Sequence, residues 1–152
     1  MSALDQYIES MSSAEDALLH ELERETYLRV LNPRMISGHI QGKLLEMIVR
    51  MICPQRILEI GTFTGYSALS MAAGLPDGGV IDTCEVDDEL EMMILDFFSR
   101  SAHENKLRLH IGSALDIAPQ LGEVYDLVFI DGDKREYTAY YNMLFDNNLV
   151  RS

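Results

Sequence analysis

Positive charge is scarce in this sequence: Lys and Arg number 12 against 25 Asp and Glu, a formal net charge of −13 at pH 7. Proteins that hold nucleic acid draw most of their affinity from Lys and Arg neutralising phosphates, so the charge argues against a polyanionic partner and a small molecule is expected. Cysteine is nearly absent too, with only Cys53 and Cys84. Neither lies in a CxxC or Cys/His spacing, which excludes a disulfide framework or a zinc site and leaves both expected as reduced core residues. No apolar run approaches the ~20 residues of a bilayer span, and the start, MSALDQYIES, has neither a basic n-region nor an apolar h-region. A cytoplasmic chain with no membrane partner is the expectation.

Internal repeats, linkers and low-complexity tracts are missing as well. What remains, 47% hydrophobic and 24% charged over 152 residues, is the balance of one globular domain with a sizeable core. In SSAEDALLHELERETYLRVL, Ser12 stands three residues before Glu15, the capping-box spacing, and Leu18, Leu22 and Val30 recur near the helical period. This predicts a helix over 13–31 that Pro33 ends. A second helix is predicted over 39–52, with Ile40, Leu44, Met47, Ile48 and Met51 as its apolar face and Pro54 as its stop.

Beyond Pro54 the pattern alternates. RILEI (56–60), VIDTCE (80–85), LRLHI (107–111) and YDLVFI (125–130) read as strands, separated by helices over 66–73, 88–102 and 115–121 and followed by one over 135–145. Strand and helix in this order predict parallel strands with right-handed crossovers: a doubly wound, mostly parallel, Rossmann-like α/β fold, with N-terminal helices over 1–53 and the nucleoside-binding core over 54–152. In such sheets ligands bind outside the carboxyl ends of the strands, so the charged tails of the strands are where chemistry belongs.

The first of those tails is GTFTGYSALSMA, where Gly61 and Gly65 frame a tight turn into a helix. A dinucleotide site wants G-x-G-x-x-G with the pyrophosphate on the helix N-terminus. Here the spacing is G-x-x-x-G, Glu59 stands two residues before the first glycine, and Phe63 and Tyr66 crowd the loop. A carboxylate there repels pyrophosphate and suits an ammonium group, so the loop fits a nucleoside with a cationic tail, as in S-adenosylmethionine, better than it fits a nicotinamide dinucleotide. Glu85 ends the second strand, where an acid holds ribose hydroxyls in this fold. GSALD (112–116) is a helix start whose small side chains suit an adenine edge, or simply a helix with Ser113 as its cap. In FIDGDKREY, Asp131, Asp133 and Lys134 follow an apolar strand, as a polar turn or as a site. The four histidines share no spacing.

The segments RMISGHIQGKLLEMI, ILEIGTFTGYSALSMA, CEVD, GSALD and LVFIDGDKREY resemble, in order, those of the class I, cation-dependent O-methyltransferases, the family of catechol and caffeoyl-CoA O-methyltransferases and their bacterial relatives. The resemblance implies that Glu59, Gly61 and Ser67 contact the methionine part of S-adenosylmethionine, that Met35 lies near its methyl, that Glu85 holds the ribose and that Ser113 and Ala114 flank the adenine. It also implies that Asp131 lies in the cofactor cleft and binds a divalent cation, Mg²⁺ first among them, that Lys134 is the general base on a small hydroxylated substrate, and that Asp133 sits by the substrate mouth.

The family pattern continues, past the point where this chain ends in DNNLVRS, with a further strand, an Asp-Asn pair that completes the metal site and a closing pair of strands. A truncated form of a longer enzyme is therefore expected, with an apolar strand over 126–130 left as an edge that invites pairing into a homo-oligomer, a dimer in the simplest case. The competing expectation is a non-catalytic nucleoside-binding or dimerisation module of the same fold.

Overall fold

The computed structural model describes residues 3–151. Its centre is a parallel sheet of β1 (Arg56–Ile60), β2 (Val80–Glu85), β3 (Leu107–Ile111) and β4 (Leu127–Ile130), in the spatial order β3-β2-β1-β4. Ile57, Leu58, Glu59 and Ile60 of β1 are buried, as a strand covered by helices on both faces requires. The chain builds outward from β1 through β2 to β3, then returns to lay β4 on the other side of β1. Strand order reverses there, and a crevice opens at the carboxyl ends of β1 and β4.

Helices fill both faces. α1 (Ala3–Met11), α2 (Ala17–Arg29), α3 (Gly38–Ile52), α4 (Tyr66–Gly74) and α5 (Glu91–Arg100) precede α6 (Ala114–Leu121) and α7 (Tyr137–Asp146). On one face Leu45, Val49, Met71, Ala72 and Leu75 of the α3 and α4 region pack on Ile57 and Ile81, and Leu22, Leu69, Ile94 and Phe98 join α2 and α5 to the same layer. On the other, Ala114, Ala118, Tyr140, Met143 and Leu144 pack on Leu58, Ile60 and Cys84. No helix of the described residues is long and apolar enough to cross a membrane.

Several expectations are corrected. Residues 3–11 form a helix that the sequence pattern did not announce, and Ser12 is no N-cap: its hydroxyl donates to the Ile8 carbonyl at 2.8 Å, closing α1. The cap of α2 is Asp16, whose carboxylate accepts from the N–H groups of Leu18 and Leu19 at 2.8 and 3.4 Å. Glu15 turns to the Tyr66 hydroxyl and to His20 instead. An ionised cap satisfies two orphan N–H groups better than a hydroxyl four residues earlier.

The apolar face predicted for α3 is not the one it buries. Leu45, Val49 and Gly42 are its buried residues, whereas Leu44 and Met51 are 48% and 77% exposed. α3 is apolar around more than half its circumference, so close fit selects the face. A Cβ on Gly42 would stand 2.6 Å from Ser70 Oγ and 2.8 Å from Tyr66 Cε1, and only the bare glycine lets α4 approach so closely. Cys84 is core, its thiol pushed up to about 12 chiefly by burial, but Cys53 is exposed at the left-handed residue that ends α3.

Just before β4, the Asp126 N–H donates to the Arg56 carbonyl at 2.9 Å. Asp126 accepts from the N–H groups of Gln55 and Arg56 at 2.8 and 3.0 Å, and Tyr125 pairs with residues 149–151, which lie alongside the start of β4.

Candidate functional site

A cleft of about 1440 Å³ opens over the carboxyl ends of the strands. Its floor is the loop between β1 and α4. Gly61, at φ 99°, and Thr62 both donate their N–H to the Cys84 carbonyl, at 3.0 and 3.2 Å, so the loop lies flat across β2. Phe63 follows at φ 51°, a left-handed conformation costly for a bulky residue, and there its N–H donates to Glu85 Oε2 at 2.6 Å.

Glu59 lies beneath this floor, fully buried. Ser67 donates to one carboxylate oxygen and Thr83 to the other, each at 2.5 Å, and Thr62 meets Thr83 at 2.5 Å. Burial pushes the Glu59 carboxyl up to about 7, the hydroxyls pull it down, and the charges of Asp131 and Glu85 add to the rise. Ser67 and Thr62 line the cleft while Glu59 does not. Its charge therefore reaches the cleft through two hydroxyls and a thin layer of backbone.

Glu85 stands at the mouth, 8% exposed, with Oε1 accepting from Asp87 N–H at 3.0 Å. One N–H on each oxygen fixes the carboxylate and leaves lone pairs for a ligand. Gly112 and Ala114 line the cleft on either side of Ser113, whose hydroxyl instead accepts from Leu115 N–H at 3.3 Å as the cap of α6. Met35 lines the opposite wall from a single-turn helix, 61% exposed.

Asp131 and Lys134 both line the cleft beyond β4. Burial raises the Asp131 carboxyl above the ordinary range against the opposing charge of Lys134. Asp133 is held by Arg135, side chain and backbone, and its carboxyl falls to about 2. Tyr140, unannounced by the sequence pattern, lines the cleft behind Gly132 and donates to Glu136 at 2.6 Å. Among the described residues no group of three or more His, Cys, Asp or Glu side chains is arranged to hold a metal ion.

Of the residues singled out from the sequence, the fold thus gathers Met35, Gly61, Ser67, Glu85, Ala114, Asp131 and Lys134 on one cleft, with Glu59 behind its floor and Ser113 turned aside. Thr62 and Thr83 were missed. A threonine in a strand is commonplace, and only the register that sets Glu59 opposite Thr83 makes it a partner.

A family model described as O-methyltransferase matches residues 9–152. The chain is 36% identical over 141 residues to "Catechol O-methyltransferase domain-containing protein 1" of Mus musculus, covering 90% of this chain and 53% of the relative. It is 32% identical over 152 residues to "Caffeoyl-CoA O-methyltransferase 2" of Petunia hybrida, covering 95% and 62%. The chain thus spans between about half and two thirds of the length of these relatives. Among solved structures, an O-methyltransferase from Bacillus cereus in complex with SAH superposes with a TM-score of 0.90 at 30% identity, over 99% of this chain and 69% of that one.

Proposed function

The chain belongs to the O-methyltransferase family, whose model spans residues 9–152, and from that premise we propose that it serves S-adenosylmethionine-dependent methyl transfer to a hydroxyl of a small, catechol-like or phenolic acceptor. The observation that carries this reading is the buried Glu59 carboxylate under the cleft floor, with two hydroxyl donors and no basic side chain hydrogen-bonded to it. A buried anion with neutral partners favours a cationic ligand above it. The relative from Bacillus cereus, solved with SAH, supports the same choice.

In this reading the methionine part rests on Gly61 and Ser67 with Glu59 as counter-charge, Glu85 holds the ribose, and Ser113 and Ala114 flank the adenine. S-adenosylmethionine supplies a methyl group activated on a sulfonium. Met35 lies near that methyl. Lys134 takes the proton of the acceptor hydroxyl.

A divalent cation at Asp131, Mg²⁺ first among them, is the further assistance the family resemblance implies. Such an ion takes about six oxygen ligands, and the described residues offer Asp131 without a companion cluster. They do not make up the site by themselves. A homodimer is the assembly favoured by the exposed apolar residues of α3 and by the sheet edge at β4.

Calorimetric titration of the chain with SAH, followed by a methyl-transfer assay on a catechol with and without chelator, tests the reading. Saturable binding with transfer is expected. Absence of SAH binding refutes it, and binding without transfer to any hydroxylated acceptor leaves a nucleoside-binding module.

A further inference from the structure

The walls of the cleft carry nine carboxylates and three basic side chains, Arg29, Arg100 and Lys134. The two arginines are already engaged. Arg29 Nε lies 2.7 Å from Glu25 Oε2. Arg100 lies 2.5 Å from Glu21 and 3.2 Å from Asp96, and its guanidinium stacks 4.9 Å above the Phe97 ring. Lys134 stands next to Asp131, whose carboxyl its charge pulls down.

Resting on the reading of this cleft as an O-methyltransferase site, we propose that its charge selects the acceptor: a small hydroxylated arene whose side chain is neutral or cationic, and not one carried on a phosphorylated thioester such as a coenzyme A ester. A diphosphate leaving the cleft needs guanidinium or ammonium groups with hydrogen bonds to spare. Toward α2 and α5 it meets Arg29 and Arg100, whose charges are matched by Glu25, Glu21 and Asp96. Past the end of β4 it meets Lys134 beside Asp131, and Arg135 there already forks onto Asp133 at 2.5 and 3.0 Å. In either direction a phosphate must break an ion pair or lie against carboxylates. A primary ammonium group meets attraction by the same geometry. The net charge of −13 extends the bias to the approach of the acceptor, since a field of one sign steers ligands before contact.

The test uses the chain saturated with SAH and four acceptors that share a 3,4-dihydroxyphenyl or closely related ring: the ethylamine, the benzyl alcohol, the benzoate and caffeoyl-CoA. Competition calorimetry should rank the amine and the alcohol about tenfold or more above the benzoate, with caffeoyl-CoA weakest. The gap should narrow between about 0.02 and 0.3 M salt as screening shortens the reach of the wall charges. Glu25→Gln, which releases Arg29, should raise caffeoyl-CoA affinity several-fold and leave SAH affinity unchanged. An anionic acceptor bound as tightly as the amine overturns the proposal, as does a Glu25→Gln variant that gains nothing. If SAH binds and no acceptor of any charge does, the proposal falls while the cofactor half of the functional reading stands. If SAH itself does not bind, both fall.

Discussion

Gly61 and Asp131 meet across the cleft floor: a Cβ on Gly61 would stand 2.6 Å from the Asp131 carbonyl oxygen. The loops after β1 and β4 therefore pass each other backbone to backbone, a contact the Asp131 N–H reinforces by donating to the Ile60 carbonyl at 2.8 Å. The cofactor loop and the candidate catalytic loop are one rigid seam at the point where strand order reverses.

Gly61→Ala should break that seam. Both the backbone, at φ 99°, and the Asp131 carbonyl oppose a side chain. A loss of about 2 kcal/mol or more is expected, read as a lower urea midpoint with an unchanged slope. Stability equal to the parent would mean the two loops are free to part.

Glu59 should make the ligand-free protein less stable as pH rises. Its carboxyl is pushed to about 7 from an ordinary 4.5 chiefly by burial, so the folded protein holds this proton more tightly than the unfolded chain does. The stabilisation it contributes is full below about pH 4.5 and is lost as pH climbs through about 7, up to about 3 kcal/mol. Glu59→Gln should unfold later than the parent at about pH 8, with the difference vanishing at low pH, while losing SAH affinity. Parallel stability curves for the two proteins would show that Glu59 does not titrate in this range.

Glu85→Ala should weaken SAH binding about 10- to 100-fold, the worth of charge-assisted hydrogen bonds of about 1.5 to 3 kcal/mol. Part of the loss arises through Phe63, whose N–H is left without its acceptor. Calorimetry showing parent-like affinity would remove Glu85 from the ribose role.

Lys134→Ala should spare SAH affinity and lower methyl transfer by roughly 10² to 10⁴, shifting the pH dependence of the rate upward as the acceptor comes to ionise unaided. Chelator should likewise leave SAH affinity unchanged, because the cofactor contacts proposed for Gly61, Ser67 and Glu85 involve no metal ion. A rate in Lys134→Ala that equals the parent at all pH values would return this residue to an ordinary turn.

At high protein concentration the chain should self-associate. Leu44, Met47 and Met51 on α3 are about half exposed or more, and β4 is an edge of the sheet. Light scattering that reports a monomer throughout would contradict the dimer.

Much of this site was legible because strand ends are local features. The runs RILEI, VIDTCE and LRLHI coincide with β1, β2 and β3, Glu85 and Asp131 follow from where apolar runs stop, and Glu59 is the lone charge within one. What was missed depends on neighbours distant in sequence. Thr83 became significant only through the register of β2 on β1, and Ser12 lost the cap of α2 to Asp16 because α1 claimed its hydroxyl.

The sequence by itself determined the alternation of strand and helix and the ranking of acidic over basic charge, since each is set by residue type and short-range spacing. Tertiary structure decided which side of α3 is buried, because a helix apolar around most of its girth is oriented by the close approach that Gly42 permits to α4. It also decided that Glu59 sits behind the floor of the cleft with Ser67 and Thr83 as intermediaries, and that Arg29 and Arg100 are spent on carboxylates. A side chain's type states which bonds it is able to make, and packing determines which partner reaches it first.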